Sequence, residues 1–187
     1  MTSTHEQEIA IVDHWLNIAH KVPSPNFNHR PENTPINLLV IHNISLPPGE
    51  FGGGYVQQFF QNRLDANQHP YFATIASLQV SAHLFIERDG NVTQFVGFDQ
   101  RAWHAGASSF DGVGNCNDYS IGIELEGTDT LAYTDKQYAA LVKVTRQLLL
   151  TYPTLTPERI TGHEQIAPGR KTDPGPAFDW SRFSASL

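Results

Sequence analysis

The nine-residue run Ile36–Ile44 (INLLVIHNI) constrains the fold most strongly. It is almost continuously apolar and rich in β-branched side chains, which is typical of a strand buried on both faces of a sheet. A second run, Tyr119–Leu125 (YSIGIEL), alternates in character and predicts another core strand. Between them, Ala82–Glu87 and Asn91–Phe95 flank an Asp-Gly turn, the pattern of a β-hairpin. The hairpin predicts antiparallel pairing inside a sheet that is otherwise parallel.

Helical segments alternate with these strands. Thr134 and Gln137, three residues apart, form a capping box for a helix that continues to Pro153. Further predicted segments are helices over Ile9–Ala19 and Tyr55–Leu64, an irregular surface stretch over Val22–Pro35, a short strand over Arg159–Thr161 and a helical turn in AFDWSRF. The sequence thus predicts the α/β class, with a single domain built on a central mixed β-sheet flanked by helices.

The composition limits the classes of partner. With 187 residues, 40% of them hydrophobic and 17% charged, the chain has the size and composition of one soluble domain. Its net charge of −7 argues against a nucleic acid or an anionic membrane as partner, since both call for a basic face. The single cysteine, Cys116, excludes an intrachain disulfide. The N-terminus lacks the pattern of a signal peptide, so we expect a cytoplasmic protein.

The segment Thr161–Gly175 (TGHEQIAPGRKTDPG) combines reactive residues with prolines and glycines that predict a loop. Loops on a rigid scaffold commonly hold functional residues. His163 and Asp173, ten positions apart, could bind one metal ion if the loop folds back, and His42 could join them from the end of its strand. A catalytic zinc site needs three such ligands and an open position. Taken singly, each of the three is more readily explained as a hydrogen-bonded structural residue, so the spacing alone does not establish the site.

Glu124 places a carboxylate at the end of an otherwise apolar strand, where an unpaired charge is costly. It is either a general base beside a metal site or the partner of an arginine such as Arg101 or Arg170. Two further histidines are candidates as well. His104, next to an indole, could line a pocket, whereas His83 could be a satisfied core residue. The pattern does not decide between these alternatives.

Four blocks of sequence carry a resemblance to a known family: VIHNISLPPGEFGG, RAWHAG, CNDYSIGIELEGTDTLAYTD and TGHEQIAPGRKTDPGPAFDW. Together they resemble the zinc-dependent N-acetylmuramoyl-L-alanine amidases of the type 2 class. Within this family they are most similar to the cytoplasmic branch that acts in bacterial cell-wall recycling. The similarity implies one zinc amidase domain over residues 1–187, of which residues 1–21 are weakly matched. It also implies a mixed sheet flanked by helices.

The resemblance implies one zinc ion per chain and a role for five residues. The His of VIHN (His42), the His of TGH (His163) and the Asp of KTDPG (Asp173) correspond to the zinc ligands. Some relatives carry cysteine at the third ligand position, where this chain has aspartate. Glu124, the first glutamate of IGIELEG, corresponds to the catalytic carboxylate, and Lys171 to the cation that stabilises the oxyanion.

The implied reaction is hydrolysis of the amide bond between the lactyl group of anhydro-N-acetylmuramic acid and L-alanine. The implied substrate is a small anhydromuropeptide, and no obligate protein partner is expected. For substrate binding, Arg170 could pair with a peptide carboxylate, Trp103 and His104 could pack on the sugar, and Asn43 could hydrogen-bond the amide. Each of these has an equally plain structural alternative. The alternative function is a non-catalytic muropeptide-binding protein on the same fold; such binders usually lack a ligand, whereas this chain has all three.

Overall fold

The structure is a computed structural model that describes residues 8–187. Its strands are β1 (Ile11–Val12), β2 (Trp15–Leu16), β3 (His20–Lys21), β4 (Phe27–His29), β5 (Leu38–Ile44), β6 (Leu84–Ile86), β7 (Val92–Gln94), β8 (Gln100–Ala102), β9 (Ser109–Phe110), β10 (Val113–Gly114), β11 (Ser120–Glu126) and β12 (Ile160–Gly162). Its α-helices are α1 (Tyr55–Phe60), α2 (Pro70–Ile75), α3 (Asp135–Thr151), α4 (His163–Ile166) and α5 (Trp180–Ala185). None of these helices is long and apolar enough to cross a membrane.

The central sheet has the strand order β12-β5-β11-β6-β7-β3. Strands β12, β5, β11 and β6 are parallel to one another, whereas β7 returns antiparallel to β6. The buried strands β5 and β11 and the β6–β7 hairpin are those that the apolar runs and the Asp-Gly turn predict. The mixed sheet and its flanking helices confirm the predicted fold class.

The two faces of β11 differ because side chains alternate along a strand. The side chains of Ile121, Ile123 and Leu125 belong to the main apolar core, together with the buried face of α3. The opposite face carries small, polar and acidic residues, namely Ser120, Gly122, Glu124 and Glu126. Since Glu124 pairs with His42 in the parallel register of β11 and β5, both side chains lie on this second face.

Two smaller apolar clusters cover the second face of the sheet. One packs beneath α1 and α2, and the other beneath the segment 105–119. Along β5, Leu38 and Val40 belong to the cluster under 105–119, whereas Ile44 packs against the cluster under the helices. His42 therefore lies where the two clusters meet, and the sheet presents its polar residues at this gap.

The N-terminal prediction of a helix over Ile9–Ala19 is wrong. The segment forms an antiparallel hairpin of β1 and β2, with Asp13 and His14 at positive φ values of 47° and 68°. Two consecutive residues with positive φ make the tight turn that matches strand twist, although neither is glycine. The hairpin is fixed to the domain by Leu16, which is buried and whose N–H donates to Gln94 Oε1 at 2.7 Å. Residues 1–7 of the predicted segment 1–21 lie outside the described residues.

The sequence patterns do not predict three shorter elements. The stretch Val22–Pro35, predicted to be irregular, contains β4, because its prolines flank Phe27–His29 and leave its backbone free to pair with β8. Helix α2 begins at Pro70, where proline's missing N–H costs nothing in the first turn. The segment predicted as a loop over Thr161–Gly175 includes the single helical turn α4. The capping box at Thr134 and Gln137 is confirmed, and so is the terminal helical turn α5.

Candidate functional site

Three side chains from separate elements converge at the polar face of the sheet. His42 comes from β5, His163 is the first residue of α4, and Asp173 follows in the loop after α4. The Nδ1 atoms of His42 and His163 are 2.9 Å apart, and each lies 3.1 Å from Asp173 Oδ2. Tetrahedral ligands bound to zinc at about 2.0–2.1 Å are separated by about 3.4 Å. The observed triangle therefore fits a small tetrahedral cation with shifts of a few tenths of an ångström.

The fold explains why residues so distant in sequence meet. Strand β12 pairs with β5 so that Gly162 lies beside Ile41, which places His163, the next residue, beside His42. The returning loop is then attached to α4, since the N–H of Glu164 donates to the carbonyl of Asp173 at 3.0 Å. A β-carbon on Gly162 would lie 2.9 Å from Pro174 Cδ, so a larger residue there would displace the loop.

A further carboxylate, Asp129, fixes the ligand loop from the other side. Its Oδ1 accepts a hydrogen bond from Asn43 Nδ2 at 2.8 Å, and its Oδ2 accepts one from the hydroxyl of Thr172 at 2.5 Å. Asn43 Nδ2 also lies 3.2 Å from the carbonyl oxygen of Pro174, which the hydroxyl of Tyr133 contacts as well, at 2.8 Å. No sequence pattern singled out Asp129 or Tyr133, because their role depends entirely on tertiary contacts.

The hydrogen bonds behind the two histidines indicate which nitrogen faces the triangle. His163 Nε2 lies 3.1 Å from the carbonyl oxygen of Ala105. A carbonyl can only accept, so Nε2 carries a proton. In the neutral ring Nδ1 therefore bears the lone pair that faces the triangle. His42 Nε2 lies 2.9 Å from His104 Nδ1, and burial lowers the pKa of His42 to about 4. With the carboxylate of Asp173, two neutral imidazoles form a ligand set that suits zinc.

The third ligand is ionised despite its burial. Burial opposes the charge of Asp173, but the hydrogen bonds that His163 and His42 donate to it when they are protonated at Nδ1, and the positive charge of such a ring, hold the pKa of the carboxyl well below its usual range. An ionised carboxylate beside neutral imidazoles is the protonation state that metal binding requires. The described residues contain this one group of histidine, cysteine or acidic side chains with the spacing of a metal site.

Glu124 lies beside the triangle, and in the described part of the chain no lysine or arginine forms a salt bridge with it. Its Oε1 is 4.0 Å from His42 Nδ1, and its buried Oε2 has no hydrogen-bond partner among the described residues. Burial raises the pKa of Glu124 well above its ordinary value, the charge of Asp173 raises it further, and the Lys171 ammonium opposes part of that rise. A carboxyl group with a raised pKa can both accept and return a proton near neutral pH.

Neither arginine considered as a partner of Glu124 reaches it. Arg101 Nε lies 2.6 Å from Asp118 Oδ1. Arg170 instead donates from its Nη2 to the carbonyl oxygens of Ala105 and Ala107, at 2.6 and 2.7 Å. The alternative of an arginine salt bridge is therefore wrong. Neither arginine offsets the free-energy cost of burying the Glu124 carboxylate.

A cavity of about 850 Å³ opens over these residues. It is bordered by the three candidate ligands and by the other predicted site residues, namely Glu124, Lys171, Asn43, Trp103, His104 and Arg170. Helix α1 and the segment 75–80 contribute apolar side chains, among them Phe59, Ile75 and Leu78. An apolar wall facing a few convergent polar groups is the usual form of a small-molecule site.

The residues predicted to contact the substrate differ in whether their polar atoms are already hydrogen-bonded within the protein. Trp103 donates from Nε1 to Asn28 Oδ1 at 2.9 Å, and its side chain is partly exposed at the cavity. Both ring nitrogens of His104 are within hydrogen-bond distance of His42 or Ser120, and Arg170 already contacts two carbonyls. The proposed sugar and peptide contacts of these side chains remain predictions.

Comparison with known proteins identifies the family to which the chain belongs. The sequence profile of the N-acetylmuramoyl-L-alanine amidase family (Amidase_2) matches residues 32–176. The chain is 60% identical to the 1,6-anhydro-N-acetylmuramyl-L-alanine amidase AmpD of Citrobacter freundii, over 91% of both proteins. It is 59% identical to the AmpD protein of Escherichia coli K12, over 90% of this chain and 92% of that protein.

The fold agrees with two solved structures of such proteins. A crystal structure of an Se-Met AmpD derivative superposes with a TM-score of 0.92 at 58% identity, covering 95% of this chain and 98% of the other. AmpDh3 of Pseudomonas aeruginosa, solved in complex with anhydromuramic pentapeptide, gives a TM-score of 0.57 at 28% identity, over 81% of this chain and 59% of the other. From its profile match, its relatives and its fold, the chain is a member of the N-acetylmuramoyl-L-alanine amidase family.

Proposed function

We propose that this chain is a zinc-dependent amidase that hydrolyses the bond between the lactyl group of 1,6-anhydro-N-acetylmuramic acid and L-alanine. The relatives that share about 59% of its residues carry the name of this activity, and they are matched over nearly their full length. The AmpDh3 complex with anhydromuramic pentapeptide supports the same class of ligand for the cavity. We propose that the whole chain, residues 1–187, is one catalytic domain acting in the cytoplasm during cell-wall recycling.

The observation that carries the proposal is the pairing of an unpartnered buried carboxylate with a metal-type triangle. Glu124 Oε1 is 4.0 Å from His42 Nδ1, within reach of a water bound among His42, His163 and Asp173. In the proposed site these three residues hold zinc, which supplies a Lewis acid and lowers the pKa of a bound water. Buried polar groups without a partner are rare and call for an explanation, and proton transfer beside a metal supplies one here.

Two residues of the chain handle protons and charge in the proposed reaction. Glu124 accepts a proton from the attacking water and returns it to the departing nitrogen of L-alanine, which its raised pKa favours. The ammonium of Lys171, at the edge of the cavity, stabilises the negative charge that develops on the former carbonyl oxygen. The products are the anhydro sugar with a free lactyl carboxylate and a stem peptide with a free amine.

Four residues are proposed to orient the substrate. Asn43, held by Asp129, offers its amide oxygen to the scissile amide, and Trp103 offers the exposed part of its indole to the sugar. Arg170 lies at the rim of the cavity, where its guanidinium can pair with a peptide carboxylate. His104 borders the same cavity beneath the sugar position, although its ring nitrogens face the protein.

A direct assay tests the function. The purified protein is incubated with an anhydromuropeptide and, separately, with polymeric peptidoglycan, and the released stem peptide is quantified together with the protein-bound zinc. We expect about one zinc per chain, release from the anhydromuropeptide, loss of release with chelator and recovery with added zinc. Tight binding of the anhydromuropeptide without release would instead support the non-catalytic alternative. Activity that survives complete removal of metal would refute the zinc assignment.

A further inference from the structure

His104 lies directly behind His42, on the side away from the metal triangle. Its Nδ1 is 2.9 Å from His42 Nε2, and its Nε2 is 3.0 Å from the hydroxyl of Ser120. The two rings are perpendicular, with centroids 5.0 Å apart. Ser120, His104 and His42 therefore form a continuous row of hydrogen bonds that ends at one of the candidate ligand atoms. We call this row the histidine row.

The sheet is built to admit the ring of His104. A β-carbon on Gly122 would lie only 2.5 Å from His104 Cγ and 2.6 Å from its Nδ1, so no side chain fits between strand and ring. Glycine inside a strand weakens it by roughly 0.5–1 kcal/mol relative to alanine. Glycine at position 122 is explained by this close approach. Without a side chain there, the ring of His104 can lie beside His42 and Glu124 on the polar face of the sheet.

The backbone around His104 supports the second histidine as well. Asn117 Oδ1 accepts hydrogen bonds from the N–H groups of His104 and Ala105, at 3.1 and 2.8 Å. His104 and Ala105 in turn contact both histidine ligands. The carbonyl of Ala105 accepts a hydrogen bond from His163 Nε2, and the ring of His104 contacts His42 Nε2. One short segment, fixed by one buried amide, thus orients both imidazoles.

We propose that His104 is a positioning residue of the metal centre: it accepts the Nε2–H of His42 and so turns the lone pair of His42 Nδ1 toward the metal. This inference rests on the proposed metal site and extends it. Metal-binding histidines commonly donate their second N–H to such a partner, which fixes the tautomer and the ring orientation. Here the partner is a buried ring, and burial holds the pKa of His104 well below its ordinary value, so the ring is neutral; a second carboxylate in this position would be expensive.

Because histidine and serine can each donate or accept a hydrogen bond, the direction of donation along the histidine row can reverse. With metal bound, His42 donates to His104 and His104 donates to Ser120. Without metal, the hydroxyl of Ser120 can donate to His104 Nε2, His104 Nδ1–H to His42 Nε2, and His42 Nδ1–H to Asp173 Oδ2, 3.1 Å away. Each ring carries one proton in both arrangements, so the net charge stays constant. A carbonyl oxygen at the position of His104 could accept but could not reverse.

The tautomers can be read directly by long-range proton–nitrogen NMR on protein labelled with ¹⁵N in its histidines. In the zinc-loaded protein we expect the Nε2–H form for both His42 and His104, with the signals assigned from single histidine variants. In metal-free protein we expect both rings to change to the Nδ1–H form. Detection of His104 as the Nδ1–H tautomer in zinc-loaded protein would overturn the proposal.

Zinc affinity, measured by competition with a chromogenic chelator, gives a second test that does not depend on turnover. His104→Phe keeps most of the ring volume but cannot accept, so we expect zinc binding to weaken about 10- to 100-fold. His104→Asn places an amide oxygen near the position of Nδ1 and should restore most of the loss. Gly122→Ala should weaken binding in the same direction, because the ring must move.

A matched control separates this role from general damage to the core. His83 is another buried histidine, with its ring centroid 6.0 Å from that of His104, but its ring nitrogens contact Gln100, Gly122 and Arg30 instead of a candidate ligand. His83→Phe should therefore lower thermal stability while leaving zinc affinity unchanged. If wild type binds zinc and His104→Phe binds it equally well, the positioning role is refuted and the proposed function is untouched. If wild type binds no zinc, the proposed metal site itself fails.

Discussion

Two glutamates on one face of one strand, two residues apart, have opposite surroundings. Both Glu124 and Glu126 are buried, with 8% and 5% of their surface exposed. The carboxylate of Glu126 accepts hydrogen bonds from the N–H of Gly52 at 2.7 Å and the N–H of Arg88 at 3.1 Å. It thereby fixes the loop that contains Gly52. Glu124 Oε2 has no such partner in the described chain, and its Oε1 faces the metal triangle.

The comparison shows that burial of a carboxylate does not by itself indicate function. A carboxylate that receives backbone N–H groups is stabilised as an anion and contributes to folding. A carboxylate without donors destabilises the fold and is retained where chemistry needs a movable proton. Glu126 is a carboxylate of the first kind and Glu124 one of the second. Only contacts from residues outside β11 distinguish the two. Substitution should separate the two contributions.

The largest effect is expected from Glu124→Gln. The variant keeps the shape of the side chain but cannot carry a proton, so we expect kcat to fall about 100- to 10,000-fold. Its unfolding free energy should be unchanged or higher, because an unpartnered buried carboxyl is lost. The measurement pairs turnover of anhydromuropeptide with chemical denaturation of the same preparation.

Glu126→Gln is the matched control for that experiment. Its amide oxygen can still accept from one of the two backbone N–H donors, but its NH2 group would face the other, so we expect a loss of about 1–3 kcal/mol in unfolding free energy. The kcat of the folded fraction should stay near the wild-type value. Equal loss of turnover in both variants would show that the distinction between the two glutamates is not functional.

The next effect concerns the cation that faces Glu124. Lys171 borders the cavity, and its charge opposes part of the pKa rise that burial and Asp173 impose on Glu124. With Lys171→Met we expect kcat to fall about 100- to 1,000-fold, the usual loss on removing one oxyanion donor. KM should change much less. Lys136→Met, an exposed lysine in the first turn of α3, is the control and should leave kcat unchanged. A wild-type kcat in Lys171→Met would remove the oxyanion role.

The sequence predicts the scaffold well and the surroundings of the site poorly. The apolar runs locate β5 and β11, the Asp-Gly turn locates the β6–β7 hairpin, and the capping box locates the start of α3. These signals are local, because side-chain periodicity and turn residues act over a few positions. The hairpin at Asp13 and His14 was missed since its positive φ angles occur without glycine.

The difference between Glu124 and Glu126 is not local. The partners of Glu126 are 74 and 38 positions away in sequence. The support of His42 by His104 likewise depends on a 62-residue separation and on the space above Gly122. Motif resemblance predicts the ligands and the catalytic carboxylate, but it does not reveal which buried polar groups hold them in place. That information comes only from the tertiary structure.

The smallest effect is expected from His83, a buried polar group that is fully bonded, like Glu126. Its Nδ1 accepts from the N–H of Gly122 at 3.1 Å and its Nε2 donates to the carbonyl of Gln100 at 2.9 Å, so the neutral ring is satisfied. Burial, and then the nearby charge of Arg30, lower the pKa of His83 to about 3. Between this value and the ordinary pKa of about 6.5, the unfolded chain binds a proton that the folded chain does not.

The sign of the pH dependence follows from that difference. Because the unfolded state binds more protons in this window, the unfolding free energy must fall as the pH drops from about 6.5 toward 3, by at most about 1.4 kcal/mol per pH unit from this one group. His83→Gln removes the titrating group, so its unfolding free energy should fall less steeply over the same range, although its value at pH 7 is lower. Chemical denaturation at pH 7, 6, 5 and 4 measures both slopes. Parallel slopes for the two proteins would mean that the folded chain protonates His83 as readily as the unfolded chain does, against the hydrogen bonds that its neutral ring makes to Gly122 and Gln100.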